Sequence, residues 1–312
     1  MKMNPVSFII NDTGFIYFFR VVISKGGFDM ANDIIKVKGL CKRMKGKEIV
    51  KNVSFSVKEG SITGLLGPNG SGKTTIIRLL SGVIEPSSGD IRVMGHNPLT
   101  NGEEIRKNSG IVTETTSLYE EMTAWENLMF FSKIYGVHDS KRAEELLIAF
   151  GMWEHKDSTI STFSTGMKKR VSLAKALLQK PRILFLDEPT NGLDPEGIHL
   201  VLDYLKVLCE KEGVTVIICS HVLQQLEGIC NMYLFIKHGV LMEGGSMEEI
   251  EKRHLKNIRV DIETGLTGEE TVFAGYPFQT IRKNTLRFEL NSKKDISPLP
   301  LSMPLAIRYI PN

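Results

Sequence analysis

The chain has 312 residues, 42% of them hydrophobic, and 39 Lys and Arg against 36 Asp and Glu give a formal net charge of +3. That length suits one large domain plus a small one, and the near-neutral balance speaks against a nucleic-acid-binding surface, so no nucleic acid is expected as a partner. No run of 18 or more apolar residues occurs, so no stretch reads as a membrane-spanning helix.

The cysteines at 41, 209, 219 and 230 are spaced for neither zinc nor a disulfide framework and read as buried, reduced thiols. Residues 1–32 read as an N-terminal extension. The apolar runs Phe15–Phe19 and Val21–Ile23 are short and broken by Arg20. Lys25-Gly26-Gly27 is what a purine-rich ribosome-binding site would encode ahead of Met30, so this segment is expected to lie outside the working protein.

From Ile34 the reading is β. Ile34–Val37 forms one strand, and Val53, Phe55 and Val57 alternate with serines in a second, half-buried one. Glu59-Gly60 turns into the apolar segment Ser61–Leu66, a buried strand. Gly67-Pro68-Asn69-Gly70-Ser71-Gly72-Lys73-Thr74-Thr75 follows and then the helical run Ile76–Leu80. A strand, a glycine loop and a helix in this order form a phosphate-binding loop. Glycines at 67, 70 and 72 are expected to take positive φ, so that successive amides point inward as an anion nest. The helix N-terminus adds partial positive charge, Lys73 a full one, and the Thr74 hydroxyl faces Mg²⁺.

Pro86–Asp90 is a turn before an alternating strand at Ile91 and Val93. Residues of about 100–165 read as an inserted helical subdomain, in which Ser140 caps a helix striped by Ala143, Leu146, Leu147 and Phe150 and stopped by Gly151. The α/β pattern returns with Ile183–Leu186, ending in Asp187-Glu188. Asp194-Pro195 then opens a helix that buries Val201, Tyr204, Leu205 and Leu208, and the strand Val214–Cys219 ends at Ser220-His221. Buried strands alternating with helices imply a mainly parallel sheet covered on both faces. Beyond residue 250 the pattern weakens; Ile258–Ile262 and Leu286–Leu290 alternate like strands, and Pro298–Asn312 reads as unstructured.

Asp187 at a strand end suits a role on Mg²⁺, and the adjacent Glu188 suits a general base for hydrolysis; the competing reading is an acidic turn. Ser164 and Gly166 at a helix N-terminus make either a second anion site or an ordinary cap, with Lys168-Lys169-Arg170 as a basic surface turn. His221 is either a satisfied structural histidine or a γ-phosphate sensor.

Over residues 33–250 the chain resembles the ATP-binding subunit of an ABC transporter, with stand-alone ATPases of bacterial exporters the nearest kind. The motifs Gly67–Thr75, Phe163–Met167, Ile183–Glu188, Asn191–Asp194 and Ser220-His221 occur in the family's order and spacing. The resemblance implies an α/β fold: a P-loop NTPase (RecA-like) core, an antiparallel β subdomain, the inserted helical subdomain and a small C-terminal α+β extension over residues 251–312. It implies a head-to-tail homodimer or heterodimer, with each ATP between one protomer's phosphate loop and the other's Ser164 and Gly166. Glu188 is then the catalytic carboxylate, His221 holds γ-phosphate and water, and Asp194 communicates across the dimer. Tyr119–Leu128 is similar to the stretch that faces a transmembrane permease, which implies a peripheral place on the cytoplasmic face of the cell membrane.

Three positions depart from the family. Glu114 stands where Gln is usual, and is expected to bind Mg²⁺ or water with altered metal dependence. Met44 takes the place of the aromatic residue on adenine and is expected to weaken base recognition. Thr165 and Met167 replace Gly and Gln in the signature. The competing functional class is a soluble ATPase of the same superfamily acting on ribosomes or DNA.

Overall fold

A computed structural model describes residues 6–10, 16–20, 33–137, 139–254, 258–263, 272–273, 276–282, 285–290 and 307–309. The chain divides into two compact units, Phe28–Ser246 and one made of Met1–Gly27 with Met247–Asn312. In the second, β1 (Val6–Ile10) and β2 (Ile16–Arg20) pair as an antiparallel hairpin. The segment read as a translated ribosome-binding site lies outside the described residues.

In the Phe28–Ser246 unit, β3 (Asp33–Met44) pairs with β4 (Lys47–Lys58) and with β6 (Ser88–Val93), giving a three-stranded antiparallel sheet in the order β4-β3-β6. The main sheet is built from β5 (Ile62–Leu66), β7 (Ser109–Val112), β8 (Ile183–Asp187), β9 (Thr215–Ser220), β10 (Met232–Lys237) and β11 (Val240–Gly245). Its order is β11-β10-β5-β9-β8-β7, parallel throughout except for the edge strand β11. Every residue of β5, β8 and β9 is buried, as unbroken apolar runs between helices must be.

Around the sheets lie α1 (Lys73–Leu80), α2 (Pro98–Lys107), α3 (Ala124–Ile134), α4 (Ser140–Ala149), α5 (Thr165–Leu177), α6 (Pro195–Glu212) and the short α7 (Leu223–Leu226). Helix α1 joins Ile76, Ile77, Leu79 and Leu80 to the same core as Leu65, Phe185, Ile217 and Leu234. Each such buried side chain contributes about 1.5–3 kcal/mol, which fixes the helix under the glycine loop. Gly151 and Gly213 end α4 and α6 with φ of +64° and +69°.

Three expectations are corrected. The cap of α4 is Asp139, whose carboxylate accepts from Arg142 N at 3.0 Å; Ser140 is the first helical residue. The stretch read as helical from about 100 contains β7, an edge strand of the main sheet, which four residues of mixed character concealed. Ile307–Tyr309, in the tail read as unstructured, is a strand paired with the one at Ile258–Glu263.

In the other unit, α8 (Met247–His254) precedes β12 (Ile258–Glu263), β13 (Val272–Phe273), β14 (Tyr276–Arg282), β15 (Thr285–Leu290) and β16 (Ile307–Tyr309). They form a five-stranded antiparallel sheet in the order β13-β14-β15-β12-β16, in which Phe288 is buried, its ring centre 5.5 Å from that of Phe278 with the two rings tilted by 43°.

Candidate functional site

The carboxyl ends of β5, β8 and β9 bring the loop, the two acids and the histidine together. These strands are neighbours, so Leu66 pairs with Ser220 and Asp187 with Cys219. The ladder continues one residue further on each side: Gly67 N donates to Ser220 O at 3.2 Å, and Glu188 N to Cys219 O at 3.0 Å.

In the loop, Pro68, Asn69 and Gly70 form an exposed lip, Ser71, Gly72 and Lys73 are buried, and Thr74 and Thr75 are half-buried. Gly72 caps α1 with φ +109°, and no side chain caps that helix, which leaves its N-terminal amides free of side-chain competition. Gly70 also has positive φ, at +76°. Gly67 does not, contrary to expectation; it is glycine because a Cβ there would lie 2.1 Å from Ile236 O. Lys73 Nζ donates to Gly67 O at 2.7 Å and to Pro68 O at 3.3 Å, and lies 3.4 Å from Glu188 Oε1.

Glu188 is 8% exposed and sits at φ +50°, a region that side chains avoid. Its Oε2 lies 3.0 Å from His221 Nδ1, whereas its buried Oε1 has no hydrogen-bond partner among the described residues. Asp187 is buried and accepts a hydrogen bond from the Thr74 side chain. Burial pushes its carboxyl above the ordinary range; the Thr74 hydrogen bond opposes this, Glu188 and Glu114 add to it, and Lys73 opposes it again. Thr74, Asp187 and the exposed Glu114 thus converge on one anionic spot, suited to a hard divalent cation that takes one or two carboxylates and completes its shell with phosphate and water. Among the described residues no group of three or more His, Cys, Asp and Glu forms a self-sufficient metal cage.

Ser164, Gly166 and Asp194 stand apart from this centre. Ser164 caps α5, accepting from Met167 N at 3.2 Å, and Asp194 caps α6, accepting from Gly197 N at 3.1 Å. A Cβ on Gly166 would lie 2.8 Å from Gly192 O, so the signature packs on the Gly192–Leu193 turn of its own chain. Met44, at the tip of the β3–β4 hairpin, is 41% exposed; that hairpin runs beside the phosphate loop, where Ile49 O is 3.0 Å from the Cβ position of Gly72.

Sequence reasoning missed four side chains. Lys169, taken for part of a surface turn, is 2% exposed and donates to Thr113 O and Glu114 O, both at 3.2 Å. Ser172 and Lys175 of the same helix donate to Thr116 O and Ser117 O, at 3.0 and 2.9 Å. Asn127 grips Tyr119, accepting from its N at 2.8 Å and donating to its O at 2.9 Å. Only the spacing of 169, 172 and 175 along one helical face could have signalled the first three.

Among the described residues no helix is long and apolar enough to cross a membrane. The ABC transporter family profile matches residues 50–191. The chain is 40% identical over 223 residues to a bacitracin transport ATP-binding protein of Bacillus licheniformis, covering 72% of this chain and 71% of that one. It is 36% identical over 229 residues to the Nod factor export ATP-binding protein I of Rhizobium sp. (strain N33), covering 72% and 75%. Among solved structures it is similar to the ATP-binding cassette MJ0796 in a dimeric, post-hydrolysis state bound to ADP and Pi. That match has a TM-score of 0.64 and 25% identity, over 68% of this chain and 98% of that one. The α/β phosphate-loop core, the convergence of strand ends and these relatives lead to one conclusion: the chain belongs to the ABC transporter family as an ATP-binding subunit, an ATPase.

Proposed function

We propose that this subunit hydrolyses Mg²⁺-ATP at the carboxyl ends of β5, β8 and β9 and so drives a separate transmembrane permease, as an exporter, from the cytoplasmic face of the membrane. The observation that carries the reading is the Lys73–Glu188–His221 chain, in which one carboxylate touches a loop cation on one oxygen and a histidine on the other.

In this reading the amides of Gly67–Thr75 and the Lys73 ammonium bind the β- and γ-phosphates. Glu188 orients the attacking water and takes its proton through the buried Oε1, which makes no hydrogen bond among the described residues and has the Lys73 ammonium 3.4 Å away. His221, fixed by Glu188, holds the γ-phosphate. Thr74 and Asp187 would hold magnesium, with Glu114 beside them, and the ion would supply charge neutralisation across the phosphates.

In this reading Ser164 and Gly166 act on the nucleotide of a second protomer, a copy of this chain or a related one, and Asp194 communicates across the dimer. The dimeric state of MJ0796 supports that arrangement. The exposed Tyr119, gripped by Asn127, and Ile134 and Tyr135 at the end of α3 offer apolar surface to a permease. Export is supported by the name of the Nod factor relative, and transport by that of the bacitracin one.

The test is purified protein with ATP. Magnesium-dependent phosphate release and nucleotide-induced self-association are expected; absence of both, with and without membranes bearing the permease, overturns the proposal.

A further inference from the structure

The His221 side chain is 39% exposed, so contacts rather than packing set its position, and the Glu188 carboxylate at 3.0 Å is such a contact. Glu188 in turn holds φ +50°, a conformation that persists only where its surroundings impose it. On the N-terminal side the constraint is plain, since Glu188 N donates to Cys219 O at 3.0 Å. On the C-terminal side Pro189 has no N–H to donate. Thr190 follows, 3% exposed, and its hydroxyl donates to Gln225 Oε1 at 2.6 Å.

Gln225 lies four residues after His221, in the short helix α7. That helix is fixed to the core, because Leu226 is fully buried and its carbonyl accepts from the buried Tyr233 hydroxyl at 3.1 Å. Two side-chain contacts therefore fasten the segment 221–225 to the turn 188–190, one through Glu188 and one through Thr190. The turn's own backbone bonds are longer, at 3.3 Å from Asn191 N to Glu188 O and 3.2 Å from Leu193 N to Thr190 O. We propose that Thr190 and Gln225 are positioning residues for hydrolysis: their hydrogen bond holds the turn after Glu188 against the His221 segment and so fixes where the carboxylate and the imidazole meet. The proposal rests on the hydrolysis reading for the roles of Glu188 and His221.

Steady-state kinetics of the full chain with Mg²⁺-ATP test it. Thr190→Val keeps the shape and removes the hydroxyl, Thr190→Ser keeps the hydroxyl, and Gln225→Met keeps the length and removes the acceptor. T190V and Q225M are each expected to lower kcat about tenfold, the scale of a misplaced reacting group, with the KM for ATP within about twofold of the unaltered protein. T190S should stay within about threefold of the unaltered kcat. The double variant T190V/Q225M should be no slower than the worse single one, because either change breaks the same bond. A loss of kcat under about threefold in T190V or Q225M overturns the proposal. So does a serine variant as slow as the valine one, or a double variant whose loss is the product of the two single losses. Should T190V fail to fold, Q225M, on the half-buried side of the bond, decides by the same threshold.

A second readout needs no nucleotide. The His221 Hε1 signal in the NMR spectrum, identified by its loss in His221→Gln, should move in T190V and Q225M and stay in place in T190S. An unmoved signal in T190V and Q225M overturns the positioning. Turnover does not enter this measurement, so failure of the hydrolysis reading would show separately, as absent phosphate release by the unaltered protein.

Discussion

His221 Nδ1 lies 3.0 Å from Glu188 Oε2 and leaves Oε1 of the same carboxylate facing the phosphate-loop lysine. A glutamine at 188 keeps the size and one hydrogen bond but cannot take a proton. Glu188→Gln is expected to bind ATP, accumulate a nucleotide-bound dimer and lose at least about 100-fold in turnover. Phosphate release and size-exclusion chromatography check this; turnover within threefold of the unaltered protein would reject Glu188 as the base.

Glu188 also holds an unfavourable backbone angle, φ +50°. Strain of this kind costs about 1–3 kcal/mol and is relieved by glycine. Glu188→Gly should therefore be about 1 kcal/mol more stable than Glu188→Ala, although both lack the carboxylate. Denaturant unfolding of the two variants compares them, and an alanine variant of equal or greater stability contradicts the strain.

Gly67 meets a different constraint. Alanine there would place its Cβ 2.1 Å from Ile236 O, and a backbone carbonyl in a parallel strand has little room to retreat. Gly67→Ala should lose about 2–3 kcal/mol of stability and most of its nucleotide affinity. Chemical denaturation and binding of a fluorescent ATP analogue measure both.

Burial lowers the Lys175 ammonium to about 8 from its ordinary 10.5. Between those values the folded chain has released a proton that the unfolded chain still holds, so this lysine makes stability rise with pH across that window. Relative to Lys175→Met, the unaltered protein should gain about 2 kcal/mol between pH 8 and pH 9.5. Parallel stability curves for the two proteins over that range would show that Lys175 keeps its proton.

The centre of the site was legible because phosphate binding constrains local sequence: the glycine spacing, Lys73, and two acids ending an apolar strand are all read within a few residues. Strand neighbours were not. That Gly67 serves Ile236, about 170 residues further along, is a fact of sheet order, and positive φ was the only local reason for a glycine. Lys169 stayed hidden for a related cause. A lysine beside another lysine and an arginine looks solvated until the helix is docked and its face is known. The caps at Ser164 and Asp194 were visible, and each satisfies a helix end within its own chain.

The contact at Gly67 joins main chain to main chain. Ile236 lends it only a carbonyl oxygen, which every amino acid possesses, so Val or Leu at 236 should leave the loop's shape intact, whereas no side chain fits at 67. Mutational tolerance across this contact should therefore be one-sided, permissive on the strand and closed on the loop.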